Sequence, residues 1–235
     1  NSFVSCRECG EVIKCPHCDV SLSLHRDGRL HCHYCGFSKA SPKNCPNCGS
    51  SYIGGLKAGT EKVEQEVQKL FPNARVLRMD ADSTKGKAGH EEILSVFANK
   101  GADILIGTQM IVKGHDFPDV SLVGILAADL SLNTNDFRSA ERTFDLITQA
   151  AGRAGRGESA GNVVIQTYRP DHYAIALAAA QDYESFYEKE IEYRSLLSYP
   201  PVGHLLLVMM LSKKESALES AGESISRVVE ESGVW

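Results

Sequence analysis

The chain has 235 residues, 43% of them hydrophobic and 23% charged. That is enough apolar material for a folded core and more than one domain. A net charge of −5 excludes a protein that coats nucleic acid with its whole surface, so any grip on phosphate must come from a local patch.

All eight cysteines lie in the first 48 residues as four C-x-x-C pairs: Cys6/Cys9, Cys15/Cys18, Cys32/Cys35 and Cys45/Cys48. Zinc takes four tetrahedral ligands and each knuckle supplies two thiolates, so four knuckles make two closed, structural sites. Disulfides, or free buried thiols, are the alternatives this spacing disfavours. The segment "DVSLSLHRDGRLH" decides how the knuckles share metal. Val20, Leu22 and Leu24 alternate with polar residues, Asp27-Gly28 marks a turn, and Leu30, Cys32 and Tyr34 resume the alternation. This is a hairpin, and its two ends meet. Cys15, Cys18, Cys32 and Cys35 are therefore expected to share one ion, and Cys6, Cys9, Cys45 and Cys48 the other. His17, His31 and His33 find no vacancy and read as solvated loop residues.

Eight thiolates and two dications lower the charge of the chain from −5 to about −9. Within the module, Arg7, Lys14, Arg26, Arg29, Lys39 and Lys43 oppose Glu8, Glu11, Asp19 and Asp27. The metal-bound module carries about −2, which favours docking a protein or guiding a strand over tight phosphate binding.

After Gly54-Gly55, helices and strands alternate. A helix is expected over 60–71 with Val63, Val67 and Leu70 on one face. "ARVLRM" (74–79) reads as a buried strand, followed by a helix near 90–100. "ADILIGT" and "VSLVGIL" are strands, 137–151 is a helix, and "NVVIQTY" is another buried run. Short apolar strands between amphipathic helices indicate a parallel α/β sheet. A long helical stretch over 171–197 ends near Pro200-Pro201, and one strand (205–211) and one helix (215–231) follow. The domains expected are 1–52 (zinc module), 53–170 (α/β lobe), 171–200 (helical connector) and 201–235, the start of a C-terminal α+β domain cut short.

The longest apolar run, at 205–211, is too short to span a bilayer, and no signal peptide opens the chain. A cytoplasmic location without membrane partners is expected. A start at Asn1 rather than methionine suggests an excised fragment.

Ligands of open α/β sheets bind beyond the carboxyl ends of the strands, and two segments are expected there. One is "QMIVKGHDF" after "ADILIGT". The other is "QAAGRAGR" (149–156), where glycines frame two guanidinium forks suited to phosphate. No phosphate-binding loop is present. The only Gly-Lys pair, Gly86-Lys87, lacks its upstream glycine, so a nucleotide cradle and its magnesium ligands are expected on another segment.

"ADILIGTQMIVKGHDFPDVSLVGILAAD" and "QAAGRAGR" resemble motifs V and VI in the second RecA-like lobe of superfamily 2 helicases. Together with four CxxC pairs, "GTEKVEQEV" and "DFRSAERTFDLITQAAGRAGR", they are similar to the PriA family of primosomal replication-restart helicases. The resemblance implies a RecA-like parallel sheet with an inserted two-zinc ribbon, in an ATP-dependent 3′-to-5′ DNA helicase that acts at stalled or forked DNA. It implies that Arg153 and Arg156 contact the γ-phosphate with support from Gln149. Gly114 and Asp116 would approach the nucleotide, and Thr108, Gln109 and Lys113 the DNA backbone. ATP and Mg2+ are the implied cofactors beside two Zn2+. The implied partners are forked and single-stranded DNA, single-stranded DNA-binding protein, and primosome components that load the replicative helicase. Nucleoid association is implied as well. The first lobe, an N-terminal DNA-binding region and a preceding strand of this lobe are implied to lie outside the chain, leaving the fragment unable to hydrolyse ATP alone. The alternative is a zinc-ribbon docking module of another superfamily 2 translocase, without catalysis in this fragment.

Overall fold

The computed structural model describes residues 2–25, 27–55, 59–80, 87–112, 117–134, 136–155, 161–206, 208, 210, 212 and 214–233. At the amino end, five short strands form one antiparallel sheet: β1 (Ser2–Cys6), β2 (Ser23–Leu24), β3 (Arg29–His31), β4 (Ser38–Ala40) and β5 (Ile53–Gly55), in the order β4-β3-β2-β1-β5. The expected hairpin is β2–β3, with Ser23 opposite His31 and Leu24 opposite Leu30. Asp27 closes its turn by accepting the Arg29 backbone N–H at 2.9 Å. Val4, Ile13, Val20, Leu22 and Leu30 pack with Cys15 and Cys32 into a small buried core. Strands this short cannot sustain a sheet through their own ladders, so the cysteine knuckles carry much of the order.

Beyond the module the chain forms α1 (Thr60–Leu70), β6 (Val76–Met79), α2 (Lys87–Ala98), β7 (Ile104–Gly107) and a 3₁₀ turn (Gln109–Val112). Next come β8 (Leu122–Ile125), α3 (Asp129–Leu132), α4 (Ser139–Ala151) and β9 (Asn162–Ile165). β6 and β7 pair in parallel from Val76↔Ile104 to Met79↔Gly107, and β8 and β9 from Leu122↔Asn162 to Ile125↔Ile165. Among the described residues these pairs stay separate, two two-stranded sheets in place of one continuous sheet.

Met79, Leu94 and Phe117 form the buried centre beneath β6 and β7. A larger cluster unites Ala128, Leu132, Phe144 and Ile147 with Ala174, Ile175, Ala178 and Phe186. The expected burial of whole strands is not met. In β8 and β9, Val123, Ile125, Val163 and Ile165 are half-buried while Leu122 and Val164 are about 60% exposed. Helices cover one face of this pair, so inward and outward positions alternate. α1 also has no fully buried residue, and Leu70 is 72% exposed, because only one side of the helix meets β6 and β7.

The stretch over 171–197 is two helices, α5 (Tyr173–Ala180) and α6 (Tyr183–Leu196). The break is Gln181, left-handed at φ 55°, whose N–H donates to the Leu177 and Ala178 carbonyls and closes the last turn of α5. The strand expected at 205–211 does not form among the described residues, of which Leu205, Leu206, Val208 and Met210 are exposed. The last helix, α7 (Glu215–Ser232), buries no residue; its Gly222 faces Met210 of the preceding segment, and a helix closes its hydrogen bonds within itself whereas a strand needs a neighbour. Among the described residues no helix is long and apolar enough to cross a membrane.

Candidate functional site

The eight cysteine sulfurs gather in two groups. Cys6, Cys9, Cys45 and Cys48 form one, and Cys15, Cys18, Cys32 and Cys35 the other, with all sulfurs of a group within 4.8 Å of one another. This is the nested pairing the hairpin implied. Sulfur pairs stand 3.6 Å apart at Cys6/Cys48 and Cys9/Cys45 and 3.5 Å at Cys15/Cys35. A disulfide would bring them to about 2.05 Å, whereas four sulfurs about 2.3 Å from a tetrahedral zinc lie about 3.7–3.8 Å apart. The donor set fits zinc.

Local backbone supports the thiolates. The N–H groups of Cys9 and Glu8 hold the Cys6 thiol down to about 7, and the Glu8 N–H lies 3.4 Å from its sulfur. In the inner group, burial followed by the sulfurs of Cys35 and Cys32 pushes the Cys18 thiol up. Four crowded sulfurs cannot all ionise without a cation between them. The two clusters suggest two zinc ions.

The arginine segment begins on α4. One face of that helix buries Ala140, Thr143, Phe144, Ile147 and Ala150, and Gln149 is exposed on the other. Past Gly152, Arg153 and Ala154 continue in tight turns to the carbonyls of Ala150 and Ala151. Gly155 sits at φ 71°, a left-handed conformation that favours glycine. Its N–H donates to the Val120 carbonyl at 3.0 Å. Gly161 allows the return strand to press against this loop, since a Cβ there would lie 2.2 Å from the Gly155 nitrogen. The glycines thus keep the loop tight and close to its neighbours. Arg153 is half-buried, and Arg156 lies outside the described residues.

The companion segment starts where β7 ends. A Cβ on Gly107 would meet the Met79 carbonyl oxygen and Ile111, both at 2.6 Å, so glycine permits the chain to turn into the 3₁₀ segment. Thr108 and Gln109 are exposed there. Lys113, Gly114 and Asp116 lie outside the described residues. Phe117 then re-enters the core edge-on to Phe97.

The two segments meet: α4 packs against the 3₁₀ turn, and Gly155 bonds Val120. Their position differs from expectation in one respect. Thr108 is at the carboxyl end of β7, but the arginine loop lies beside residues 117–121, at the amino ends of β8 and β9. The N–H of Asn162 bonds the Ser121 carbonyl there. The physical reason is connectivity: α4 runs back along the parallel pair, so its end reaches the start of the next strand.

Residues to which neither periodicity nor motif assigned this contact join the module to the lobe. The hydroxyl of Tyr34, inside the third knuckle, accepts the Phe137 N–H at 3.0 Å, and the hydroxyl of Tyr199 donates to the Cys18 carbonyl at 3.1 Å. Phe137 stacks on Tyr199 at 5.1 Å, with the Arg194 guanidinium 5.3 Å above its ring. Arg194 also bridges Glu190 at 2.8 Å and Glu141 at 2.5 Å, and Tyr193 bonds Asp19. The outer ribbon touches the lobe where Gly10, at φ 74°, leaves room for Tyr168.

Family comparisons agree with both halves of this picture. Residues 15–39 match the model described as the PriA DNA helicase Cys-rich region, and residues 57–158 match the helicase conserved C-terminal domain. The chain is 52% identical to the replication restart protein PriA of Bacillus subtilis over 227 residues, 96% of this chain. The chain belongs to the PriA family. It is 44% identical to the Synechocystis PriA over 98% of its length and 37% identical to that of Haemophilus influenzae over 94%. It spans 28% of the Bacillus and Synechocystis PriA proteins and 30% of the Haemophilus one.

Proposed function

We propose that this chain is the Cys-rich region and second RecA-like motor lobe of an ATP-dependent 3′-to-5′ DNA helicase, one that recognises stalled or forked DNA and initiates primosome assembly for replication restart. The observation that carries this reading is the meeting of the arginine loop with the segment after β7, through the Gly155–Val120 hydrogen bond, in a chain similar to PriA proteins over nearly all its length. In this reading Arg153 and Arg156 face the γ-phosphate of ATP held on another lobe, and Gln149 steadies them. Gly114 and Asp116 approach the nucleotide, while Thr108, Gln109 and Lys113 take the DNA backbone. The eight cysteines hold two structural Zn2+ and so fix the ribbon against the lobe. The module's residual negative charge favours protein partners there, single-stranded DNA-binding protein and primosome components among them.

A guanidinium that meets charge developing on the transferred phosphoryl group lowers the barrier more than it tightens the ground state. The test uses a protein of the relatives' full length containing this chain, with saturating single-stranded DNA. Arg156→Ala should cost at least about 10² in DNA-stimulated ATP hydrolysis, a conservative share of the roughly 10³–10⁵ an arginine finger supplies, while ATP binding persists. Arg156→Lys should fail nearly as badly, because a point charge lacks the planar fork. The 235-residue chain alone should not turn over ATP. Near-normal hydrolysis by Arg156→Ala would remove the arginine loop from the mechanism.

A further inference from the structure

The two cysteine clusters leave a group of histidines in the same module without a role. His25, His31 and His33 occupy odd positions around the β2–β3 hairpin. The pairs Ser23↔His31 and Leu24↔Leu30 place odd and even residues on opposite faces. Leu22 and Leu30, on the even face, are fully buried in the module core. The three imidazoles gather on the odd face. Ring centroids are 4.5 Å apart for His25 and His31, and 5.1 Å for His25 and His33.

The contact within this group is nitrogen to nitrogen: Nε2 of His25 lies 3.4 Å from Nε2 of His33. As a hydrogen bond this is long, beyond the usual range of about 2.7–3.2 Å for N–H donors. Two protonated rings would repel at that distance. Two ring nitrogens each about 2.0–2.1 Å from one tetrahedral dication, however, stand about 3.3–3.4 Å apart. Beside the pair, Nε2 of His31 lies 3.1 Å from Oδ2 of Asp27. That carboxylate is already fixed by the Arg29 N–H. It supplies negative charge beside the imidazoles, which favours a cation there.

We propose that His25 and His33 form a third divalent-metal site on the odd face of the hairpin, exchangeable and separate from both cysteine clusters, with the His31–Asp27 pair at its edge. Neutral imidazole donors select zinc, nickel or copper over magnesium or calcium. Two protein ligands leave the remaining positions to water. Binding is therefore weaker and faster to exchange than at four thiolates, and the cysteine clusters contribute no ligand because each already has four sulfurs for one ion.

The experiment is equilibrium dialysis of the chain, preloaded with its two tightly bound zinc ions, against rising micromolar concentrations of free Zn2+. One additional equivalent is expected, removed by a mild chelator that leaves the first two in place. His25→Ala, His25→Gln and His33→Ala should each weaken this third equivalent at least tenfold. His31→Ala should weaken it by about threefold, and the control His204→Ala should leave it unchanged. Metal analysis of each variant checks that the cysteine sites remain filled. Should His33→Ala lose them, the two His25 variants decide, because His25 lies outside every knuckle. Absence of a third equivalent, or one whose affinity both His25 variants leave at the parent value, overturns the site.

Discussion

The cysteine module and the α/β lobe reach order by opposite routes. Among the described residues of the module no strand exceeds five residues, and eight side chains of one chemistry tie together segments up to 42 residues apart. In the lobe, order is spread over many apolar contacts, as in the cluster around Phe144 and Phe186, whose rings stack at 4.2 Å. A structure held by a few strong ligands fails all at once when one is lost. One held by distributed packing weakens by degrees.

The sharpest way to break this comparison is at the inner cluster. Structural zinc supplies about 10–16 kcal/mol of folding free energy in small zinc domains, so Cys18→Ser should release one zinc and unfold the β2–β3 hairpin. Metal analysis should fall from two ions to one. Amide spectra should lose the dispersed signals of residues 13–40, while α4 keeps its helical signature. Collapse of the lobe along with the hairpin would show that the two regions are one cooperative unit.

Phe144→Ala probes the other side. It removes a 3% exposed ring from the lobe's largest cluster, at a cost of about 3–5 kcal/mol. Urea unfolding should show a lower midpoint with both zinc ions retained. Loss of zinc at the same urea concentration in the variant and the parent would confirm that the module stands on its own ligands.

The smallest effect lies at the seam. Nδ1 of His172 accepts the Ala174 N–H at 3.2 Å and caps α5. Burial, then Arg169 and Lys14, hold its pKa down to about 4. The folded value is below the unfolded one of about 6.5, so the unfolded chain takes the proton first. This contribution is complete above about pH 6.5 and is lost as pH falls toward 4. It should be on the order of 1 kcal/mol, the worth of a helix cap. His172→Asn, which also caps, should flatten the difference in unfolding free energy between pH 7 and pH 5. Lys14 belongs to the module, so stripping the inner zinc should move the His172 titration upward in an NMR pH series. An unmoved titration would mean the module does not reach this residue.

Legibility in the sequence followed the same division. The nested pairing of cysteines was readable because Asp27-Gly28 and flanking alternation define a hairpin, and a hairpin leaves its ends no choice of neighbour. Helices α1, α2 and α4 were readable from spacing, to within two or three residues at their ends. What covers the second face of a strand is not written in that strand, so the exposure of Leu122 and Val164 went unforeseen. The αL residue Gln181, which splits a long helical pattern in two, carries no glycine to announce it. The seam of Tyr34, Phe137, Arg194 and Tyr199 was equally hidden, since its members are single residues far apart in sequence with no shared period. Of the arginine segment, the glycine frame was legible, with Gly155 in the left-handed conformation. Its place at the amino ends of β8 and β9 depended on the direction in which α4 returns.

That direction turns α4 into a lever. Its thirteen residues make a rod about 20 Å long, held at its start by Phe137 and Arg194, packed along one face against α3 and α5, and followed by Arg153. In the phosphate role proposed for Arg153, holding the guanidinium to about 0.5 Å over that length permits a tilt of only about 1.5°. The angular stiffness of the packing along α4, the seam included, therefore limits how accurately the phosphate contact proposed for Arg153 can be aimed.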